Sequence, residues 1–360
     1  MAVTEERHVS DLRDVYCELA DGPVCLRADA STFKVVGRGR QSVVYGVKGN
    51  DSIVIKRTPL TGPRNGRAFT WTKVHVWNSL TSLINSTAQP ERRTLESAVC
   101  VPLFYRVTGG DHPCLVTVEP RVLGRDLKHY LPTIDYGTLA KVLFIVADVL
   151  QFLGDKVGFN HNDLHFGNIM LVRTKDAHPR TYEPLGGGLP SFGMPKYFPV
   201  IVDYDWSCVQ DHPPGALDAL QALRARIPSE HSPFAYTHRC VQSVMGQHSP
   251  AVDAETLVRA LMMLIADMPP SEGKGVRAVT HDLLARLPER ASADACGPQV
   301  TVGVLRSALA TMLRDSKNSQ GPHKQTGGGE QRSHHVHPVR TGTMLTATLV
   351  VTAAMSALAR

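Results

Sequence analysis

The chain has 360 residues, of which 42% are hydrophobic and 20% charged, so it is long enough to bury a substantial core and has an ordinary globular composition. Its formal net charge of +6 comes without a dense basic block, and we expect no binding of nucleic acid. The seven cysteines are scattered, odd in number and without a C-x-x-C pair, which argues against a disulfide framework or a zinc site and for a reducing compartment.

The N-terminal stretch contains many charged residues and no apolar segment of the kind that directs secretion. We therefore expect an intracellular protein, cytoplasmic or nuclear. Leu12, Val15 and Leu19 recur at helical spacing, and Gly22 follows them as a stop signal. Residues 1–30 are predicted to form an N-terminal helical extension.

Short runs of β-branched residues broken by glycines follow, a pattern typical of antiparallel strands. The turn at Gly49 is predicted to join two of these strands as a hairpin. In chain order, the pattern predicts strands at 33–36, 43–47 and 53–55, a helix at 67–85, a short helix opened by Pro90, and strands at 99–107 and 114–118. This part is therefore predicted to be a small, mostly antiparallel sheet with one or two helices.

From Tyr136 onward the chain is predicted to be mainly helical. Apolar residues at i, i+3, i+4 and i+7 predict one long helix that ends at Gly158. Short apolar strands are expected at 169–172 and 200–202, separated by a glycine- and proline-rich surface insertion over 174–198. Further helices are predicted at 215–227, 236–246, 253–267, 275–287 and 299–314.

The C-terminal stretch differs in composition from the rest of the chain. Residues 315–340 are polar and glycine-rich and are predicted to be a disordered linker. Residues 341–359 carry no charge and would measure about 28 Å as a helix, close to a bilayer core. Because threonines and alanines make this tail (341–360) only weakly apolar, we expect a docking helix or a disordered end, with a membrane anchor as the alternative.

The loop after the long helix carries a spacing that serves phosphoryl transfer. His161, Asp163 and Asn168 form H-x-D-x-x-x-x-N between a helix and an apolar strand. Such an Asp accepts or orients the proton of the attacking hydroxyl, and the Asn five residues later holds Mg²⁺ on the nucleotide phosphates. Alone, the motif could be a coincidence of polar residues in a turn.

Three further pieces fit the same chemistry. Gly37 and Gly39 stand between two strands, where backbone N–H groups can approach phosphate oxygens. Lys56 ends an apolar strand, and Asp203 ends another, where a buried carboxylate needs a cation. Taken singly, a hairpin turn, a solvated lysine and a turn-capping Asp would explain them. Their order, and the element on which each lies, favour one phosphate-binding site.

With these four pieces the chain resembles the eukaryotic-type protein kinase superfamily, by motif over residues 31–227. Its D-L-H-x-x-N loop is similar to those of haspin-like, large-DNA-virus and aminoglycoside-type kinases. The resemblance implies an α+β, two-lobed protein-kinase-like fold. The small antiparallel β-sheet N-lobe would be 31–123, and the mainly helical C-lobe would be 124–314.

The resemblance also implies ATP and Mg²⁺ as cofactors and assigns roles to residues. Asp163 would be the catalytic base, Lys56 would pair the α/β-phosphates, and Asn168 and Asp203 would bind Mg²⁺. The nucleotide would further contact Gly37, Gly39, Val44, backbone groups of Glu119 and Arg121 after a gatekeeper Val118, and Asp126 near the ribose. Asp218 would be the buried helix residue that steadies the catalytic loop.

Several positions depart from the family pattern. The helix at 67–85 contains no Asp or Glu, so the acid that pairs with Lys56 is left open between Glu91, which we prefer, and Glu96. His165 stands where most Ser/Thr kinases have Lys, Tyr204-Asp205 replaces Phe-Gly, and no A-P-E follows.

We expect a Ser/Thr protein kinase with a protein substrate. A small-molecule acceptor of the aminoglycoside or choline kind is one alternative, suggested by His165. A nucleotide-binding pseudokinase scaffold is the other, suggested by Asp205 and by the open choice of acid for Lys56.

Overall fold

A computed structural model describes seven stretches of the chain: 30–38, 42–60, 67–108, 113–174, 180–210, 252–288 and 300–319. All of them belong to the first of two units, residues 1–319, and the second unit is 320–360. Several predictions lie outside the described residues: the extension before residue 30, Gly39, the helices at 215–227 and 236–246, Asp218, and everything after residue 319.

Five antiparallel strands form the first sheet, as the sequence predicts. They are β1 (Phe33–Arg38), β2 (Val43–Val47), β3 (Asn50–Pro59), β4 (Phe104–Val107) and β5 (Cys114–Pro120). Their order in the sheet is β1-β2-β3-β5-β4, so β3 lies at the centre. In this register Lys56 of β3 lies opposite Val44 on one side and opposite Thr117 on the other.

Two helices lie between β3 and β4 in the chain. Helix α1 (Arg67–Ser86) matches its prediction, and α2 (Glu91–Ala98) begins one residue after Pro90, which is its N-cap. The strand predicted at 99–107 is shorter, because only β4 pairs with the sheet and Val99 instead makes an isolated bridge to Ile201.

The rest of the described chain contains five α-helices and five short β-strands. They are β6 (Gly124–Asp126), α3 (Leu127–Tyr130), α4 (Tyr136–Val157), β7 (Ile169–Arg173), β8 (Thr181–Tyr182), β9 (Phe192–Gly193), β10 (Tyr197–Ile201), α5 (Val252–Asp267), α6 (Lys274–Arg286) and α7 (Val302–Ser319). The strands pair as β10-β7-β6 and β8-β9. The α+β class is thus confirmed.

Helix α4 is the centre of the larger hydrophobic core. Asp135 caps its first turn by accepting from the Thr138 amide at 2.8 Å, and Gly158 ends it with φ 59°. A side chain at Gly158 would be strained in this left-handed conformation and would also collide with Gln210. The helix is long and apolar enough to cross a bilayer, but 67% of its apolar window is buried inside the protein, as in the core helix of a globular domain.

The described part of the segment before β10 is anchored in the core and is not wholly a surface insertion. Tyr182, Leu185 and Phe192 are almost fully buried in the core beside α4. The Tyr182 hydroxyl donates to Asp148 at 2.7 Å, and the Leu185 amide donates to the same carboxylate at 2.8 Å. The prediction for 174–198 is therefore wrong over these residues, because apolar side chains spaced between the glycines and prolines find a place in the core.

Helix α7 continues further than predicted. It ends at Ser319, so residues 315–319 are helical and do not belong to a disordered linker. Arg286 of α6 donates to Asp315 at 2.9 Å, which extends the packing of α7 beyond its apolar part.

Asp148→Ala is expected to lower the free energy of unfolding by about 3–5 kcal/mol, because Arg306 and Tyr182 then lose their shared buried acceptor. Urea unfolding measures the change, with the exposed Asp155→Ala on the same helix as the control, which we expect to change the free energy by less than about 0.5 kcal/mol. Equal effects of the two substitutions would contradict this account of the 180–192 segment.

Candidate active site

The loop between α4 and β7 brings Asp163 and Asn168 together. The Asn168 side-chain amide donates to the Asp163 carbonyl at 2.8 Å, and the His165 amide donates to the same carbonyl at 2.9 Å. A short 3-10 turn (Phe166–Asn168) leads into β7, and Asn168 is 6% exposed. Because its Nδ2 bonds Asp163, the Oδ1 of Asn168 is the side-chain atom that can bind a cation.

A buried carboxylate from α5 holds the start of this loop. Asp253, 2% exposed, accepts from the His161 amide at 2.7 Å and from the Asn162 amide at 2.8 Å, one through each oxygen. Asn162 has φ 63°, a strained value for a residue with a side chain, and these two bonds help to maintain it. Asp253 thus holds the loop backbone in the way that we expected of Asp218, which lies outside the described residues.

Asp253→Ala is expected to lower the free energy of unfolding by about 2–5 kcal/mol, because two amides lose their acceptor. The phosphoryl transfer that we expect of this loop should also fall by about tenfold or more, since the Asp163 carboxylate loses its fixed position. Urea unfolding and a turnover assay measure the two effects. Asp267→Ala, an exposed acid at the far end of α5, is the control and should leave both near the wild-type values. Wild-type turnover by a folded Asp253→Ala variant would contradict the role.

His161 is a structural residue of the loop. Its side chain is fully buried and its Nε2 lies 3.0 Å from the Val202 carbonyl, which can only accept, so Nε2 carries the proton. The ring packs against Tyr204 with centroids 5.4 Å apart. The buried His161 ring thus braces the loop from beneath, and Asp163 remains the predicted base.

Asp203 lies beside this loop at the end of β10. The Val202 amide donates to the Asn168 carbonyl at 3.0 Å, which joins the two segments directly. Asp203 has φ 63° and ψ 67°, a left-handed conformation that is costly for a residue with a side chain and is concentrated at functional sites. Its carboxylate is 42% exposed and accepts from the Lys56 ammonium at 2.7 Å.

The acid partners of Lys56 come from the segment after β10, contrary to the sequence prediction. Lys56 lies 2.7 Å from Asp203 and 3.4 Å from Asp205. Glu96 instead pairs with Arg92 of its own helix at 2.8 Å, and no ion pair joins Glu91 to Lys56 within the described residues. Sequence reasoning failed here because nothing local marks an acid 149 residues away as the partner.

The pKa shifts of Lys56 and Asp205 agree with a cluster of closely packed charges. Burial alone would lower the pKa of Lys56, but the carboxylates of Asp205 and Asp203 raise this pKa above its ordinary value. Burial alone would raise the pKa of Asp205, but Lys56 and Lys73 hold that pKa well below its usual range. Both groups are therefore charged at neutral pH, and Lys56 is available as a cation for phosphate oxygens.

The same face of the sheet that carries Lys56 also carries Val44 and Gly37. Opposed residues of an antiparallel pair share a face, and Gly37 lies opposite Val44, which lies opposite Lys56. A Cβ at Gly37 would meet Val44 at 3.7 Å, an ordinary contact, so the glycine is not required by packing. These three predicted nucleotide-contacting positions are brought together.

The prediction for β5 needs correction. Glu119 lies opposite Val54, so its side chain shares the face of Lys56, whereas Val118 lies opposite Ile55 and packs into a small core on the other face. The Arg121 amide already donates to the Ser52 carbonyl at 2.8 Å, so it is not left for adenine. Alternation along the strand therefore places Glu119, and not Val118, on the wall of the site.

The side chains of Asp126 and His165 each accept a hydrogen bond from a nearby backbone amide. Asp126 caps α3 by accepting from the His129 amide at 2.9 Å, which occupies one of its oxygens. His165 accepts from the Gly167 amide at 3.0 Å through Nδ1, and burial lowers its pKa below the ordinary value. His165 is therefore neutral at neutral pH and does not supply the positive charge of the lysine found in most Ser/Thr kinases.

No model of a known protein family matches this chain, and no curated protein matches it.

Proposed function

We propose that the protein is an ATP- and Mg²⁺-dependent phosphotransferase with a two-lobed, protein-kinase-like fold, which phosphorylates Ser or Thr side chains of proteins. The observation that carries the proposal is the 2.7 Å contact between Lys56 of the five-stranded sheet and Asp203, which follows β10. It brings the predicted phosphate-binding lysine to the predicted metal ligand across 147 residues of sequence.

The donor atoms suit a magnesium ion. Asn168 offers Oδ1 and Asp203 offers a partly exposed carboxylate, and Mg²⁺ prefers such oxygen ligands together with substrate phosphates. When bound, the ion would neutralise charge on the phosphates. The fit is further supported by the strained backbone of Asp203, which aims its carboxylate at Lys56 and away from the buried core.

Each remaining residue has a defined task in the transfer. The acceptor hydroxyl attacks the γ-phosphorus of ATP, the bond from that phosphorus to the ADP oxygen breaks, and the hydroxyl proton passes to the Asp163 carboxylate. Lys56 binds the α/β-phosphates and orients them. Asn168 fixes the Asp163 backbone, so the base and the phosphates keep one relative position.

The acceptor class has one alternative that an observation favours. Because His165 is neutral and partly buried, it does not supply the charge of the lysine that most Ser/Thr kinases have at this position, and a small-molecule alcohol is the second candidate. Nucleic acid is not among the proposed partners, and we propose an intracellular location. A pseudokinase scaffold has less support, because Lys56 has acid partners and all proposed catalytic groups are present.

A paired acceptor screen tests the proposal. The protein is incubated with γ-labelled ATP and Mg²⁺, once with a mixture of Ser/Thr proteins and peptides and once with aminoglycosides and choline. We expect label in the protein fraction. Label only in the small molecules would select the second candidate, and the absence of label in both, together with no thermal shift by MgATP, would contradict nucleotide chemistry altogether.

A further inference from the structure

Lys56 needs a fixed acid beside it, and helix α1 cannot provide one. A lysine on a strand swings freely unless a carboxylate holds its ammonium group in one direction. Helix α1, the first helix after β3, contains no Asp or Glu anywhere in Arg67–Ser86. It instead contributes Lys73, a cation that is only 2% exposed.

One carboxylate bridges the two lysines. Asp205 Oδ1 lies 3.4 Å from the Lys56 ammonium, and its Oδ2 lies 2.9 Å from the Lys73 ammonium. The Asp205 side chain is 13% exposed, so these contacts are largely shielded from water and salt. Burial lowers the pKa of Lys73 and Asp205 opposes that change, which is the behaviour of a buried pair in contact.

Asp203 and Asp205 differ in what else they can do. Asp203 is 42% exposed and faces the site, where its carboxylate is proposed to bind the metal and would then divide its charge between that ion and Lys56. Asp205 is mostly buried and held from behind by Lys73, so it can stay with Lys56 in every state of the site. The turn Tyr204–Trp206 also packs against α1, which fixes the backbone of Asp205 relative to Lys73.

We infer that Asp205, anchored by Lys73 of helix α1, is the positioning residue that directs Lys56 toward the nucleotide phosphates. This inference rests on the proposed function. It assigns a task to the residue that follows Tyr204, where the related kinases have glycine, and to a buried lysine on a helix that lacks an acid. The acid beside Lys56 thus lies in the turn after β10 and not on helix α1, and helix α1 supplies the cation, Lys73, that pairs with this acid.

A double variant separates positioning from folding. Asp205→Asn removes the carboxylate beside the buried Lys73, and Lys73→Met leaves Asp205 with Lys56 as its lysine contact. Both should lower the midpoint of urea unfolding, Asp205→Asn more than Lys73→Met. Made together, they remove both charges, and the midpoint should return toward the wild-type value. If Asp205 positions Lys56, the double variant still has a KM for MgATP raised about tenfold or more, because one charge-assisted bond to Lys56 is lost.

A second measurement of the position of Lys56 does not require nucleotide. Amine acylation followed by mass spectrometry compares Lys56 with the exposed Lys48 in the same molecule. Loss of the Asp205 carboxylate should increase acylation of Lys56 relative to Lys48 by about threefold or more, since the amine is no longer held against the buried Asp205. Asp155→Asn with Lys156→Met, an exposed neighbouring pair on α4, is the matched control and should change none of these values.

Each outcome decides one question. A stable double variant with wild-type KM and wild-type Lys56 acylation would overturn the inference, because the pair would then be structural only. If wild-type protein neither binds MgATP nor transfers phosphate, the proposed function fails. The acylation ratio of Lys56 to Lys48 then still tests whether Asp205 holds Lys56. If the double variant does not fold, acylation is measured on Asp205→Asn alone, which keeps the side-chain volume. An unchanged ratio of Lys56 to Lys48 acylation would again overturn the inference.

Discussion

Asp163→Asn is expected to reduce phosphoryl transfer by about 10²–10⁴-fold, the range that a positioned general base contributes. The substitution keeps the size and shape of the side chain, and the loop is held through the backbone carbonyl of Asp163, which it does not alter. Loop geometry and metal ligands should therefore survive, while the group that accepts the hydroxyl proton is lost.

Nucleotide affinity provides the decisive comparison for this variant. Calorimetric titration should give a dissociation constant for MgATP within about threefold of the wild-type value, because Asp163 is not among the phosphate or metal ligands. The control is Asp155→Asn, an exposed acid on α4 that should leave turnover unchanged. Wild-type turnover by Asp163→Asn would show that another group is the base.

Asp203→Asn is expected to weaken MgATP binding by about tenfold or more and to reduce transfer as well. Two contacts are affected: the proposed magnesium ligand loses its charge, and Lys56 loses its 2.7 Å partner. The effect should depend on the metal. Affinity for ATP measured in EDTA should differ less between the variant and the wild-type protein than affinity for MgATP does, because only the Lys56 contact then distinguishes them.

The two aspartates can therefore be told apart by titration with and without Mg²⁺. Glu183→Gln, an exposed acid outside the site, serves as the control for the change of charge. If Asp203→Asn bound MgATP as tightly as the wild-type protein, Asp203 would not be a metal ligand, and the contact with Lys56 would be an ion pair without a role in binding.

The sequence predicts regular elements well where one pattern dominates. Helix α4 has an apolar stripe, an Asp cap at Asp135 and a terminal Gly158, and its bounds agree with the prediction. The strands β1, β2 and β3 were also predicted, since β-branched runs and a tight turn leave few alternatives. Over 180–192, the many glycines and prolines led to the prediction of a surface insertion, although aromatic residues such as Phe192 are buried there.

Site residues that act across the fold were missed, although each left a signal. Asp253 lies on the same helical stripe as the buried Leu257 and Ala260, and Lys73 lies on the stripe of Trp77 and Leu80. A charged residue on an apolar stripe must find a buried partner. The sequence could thus have flagged both residues, but it could not name Asp205 or the loop amides as their partners, because only the fold brings those groups within reach.

The direction in which the side chains of β5 point could also not be predicted from the sequence pattern. The strand Cys114–Pro120 is buried on both faces over most of its length, so alternation of polar and apolar residues does not reveal which residues face the site. The pairing of Lys56 with Thr117 shows which side chains of this strand share the face of Lys56, and it places Glu119 on the wall of the site.

The central claim is that the protein moves the γ-phosphate of ATP to another molecule. The most direct measurement supplies wild-type protein with ATP labelled either at the γ- or at the α-phosphate, with Mg²⁺ and a mixture of Ser/Thr proteins, and follows the label. The account predicts that label from the γ-position alone becomes attached to protein hydroxyls, and that EDTA stops the transfer. Stoichiometric binding of MgATP without any transfer of the γ-label to an acceptor would contradict it.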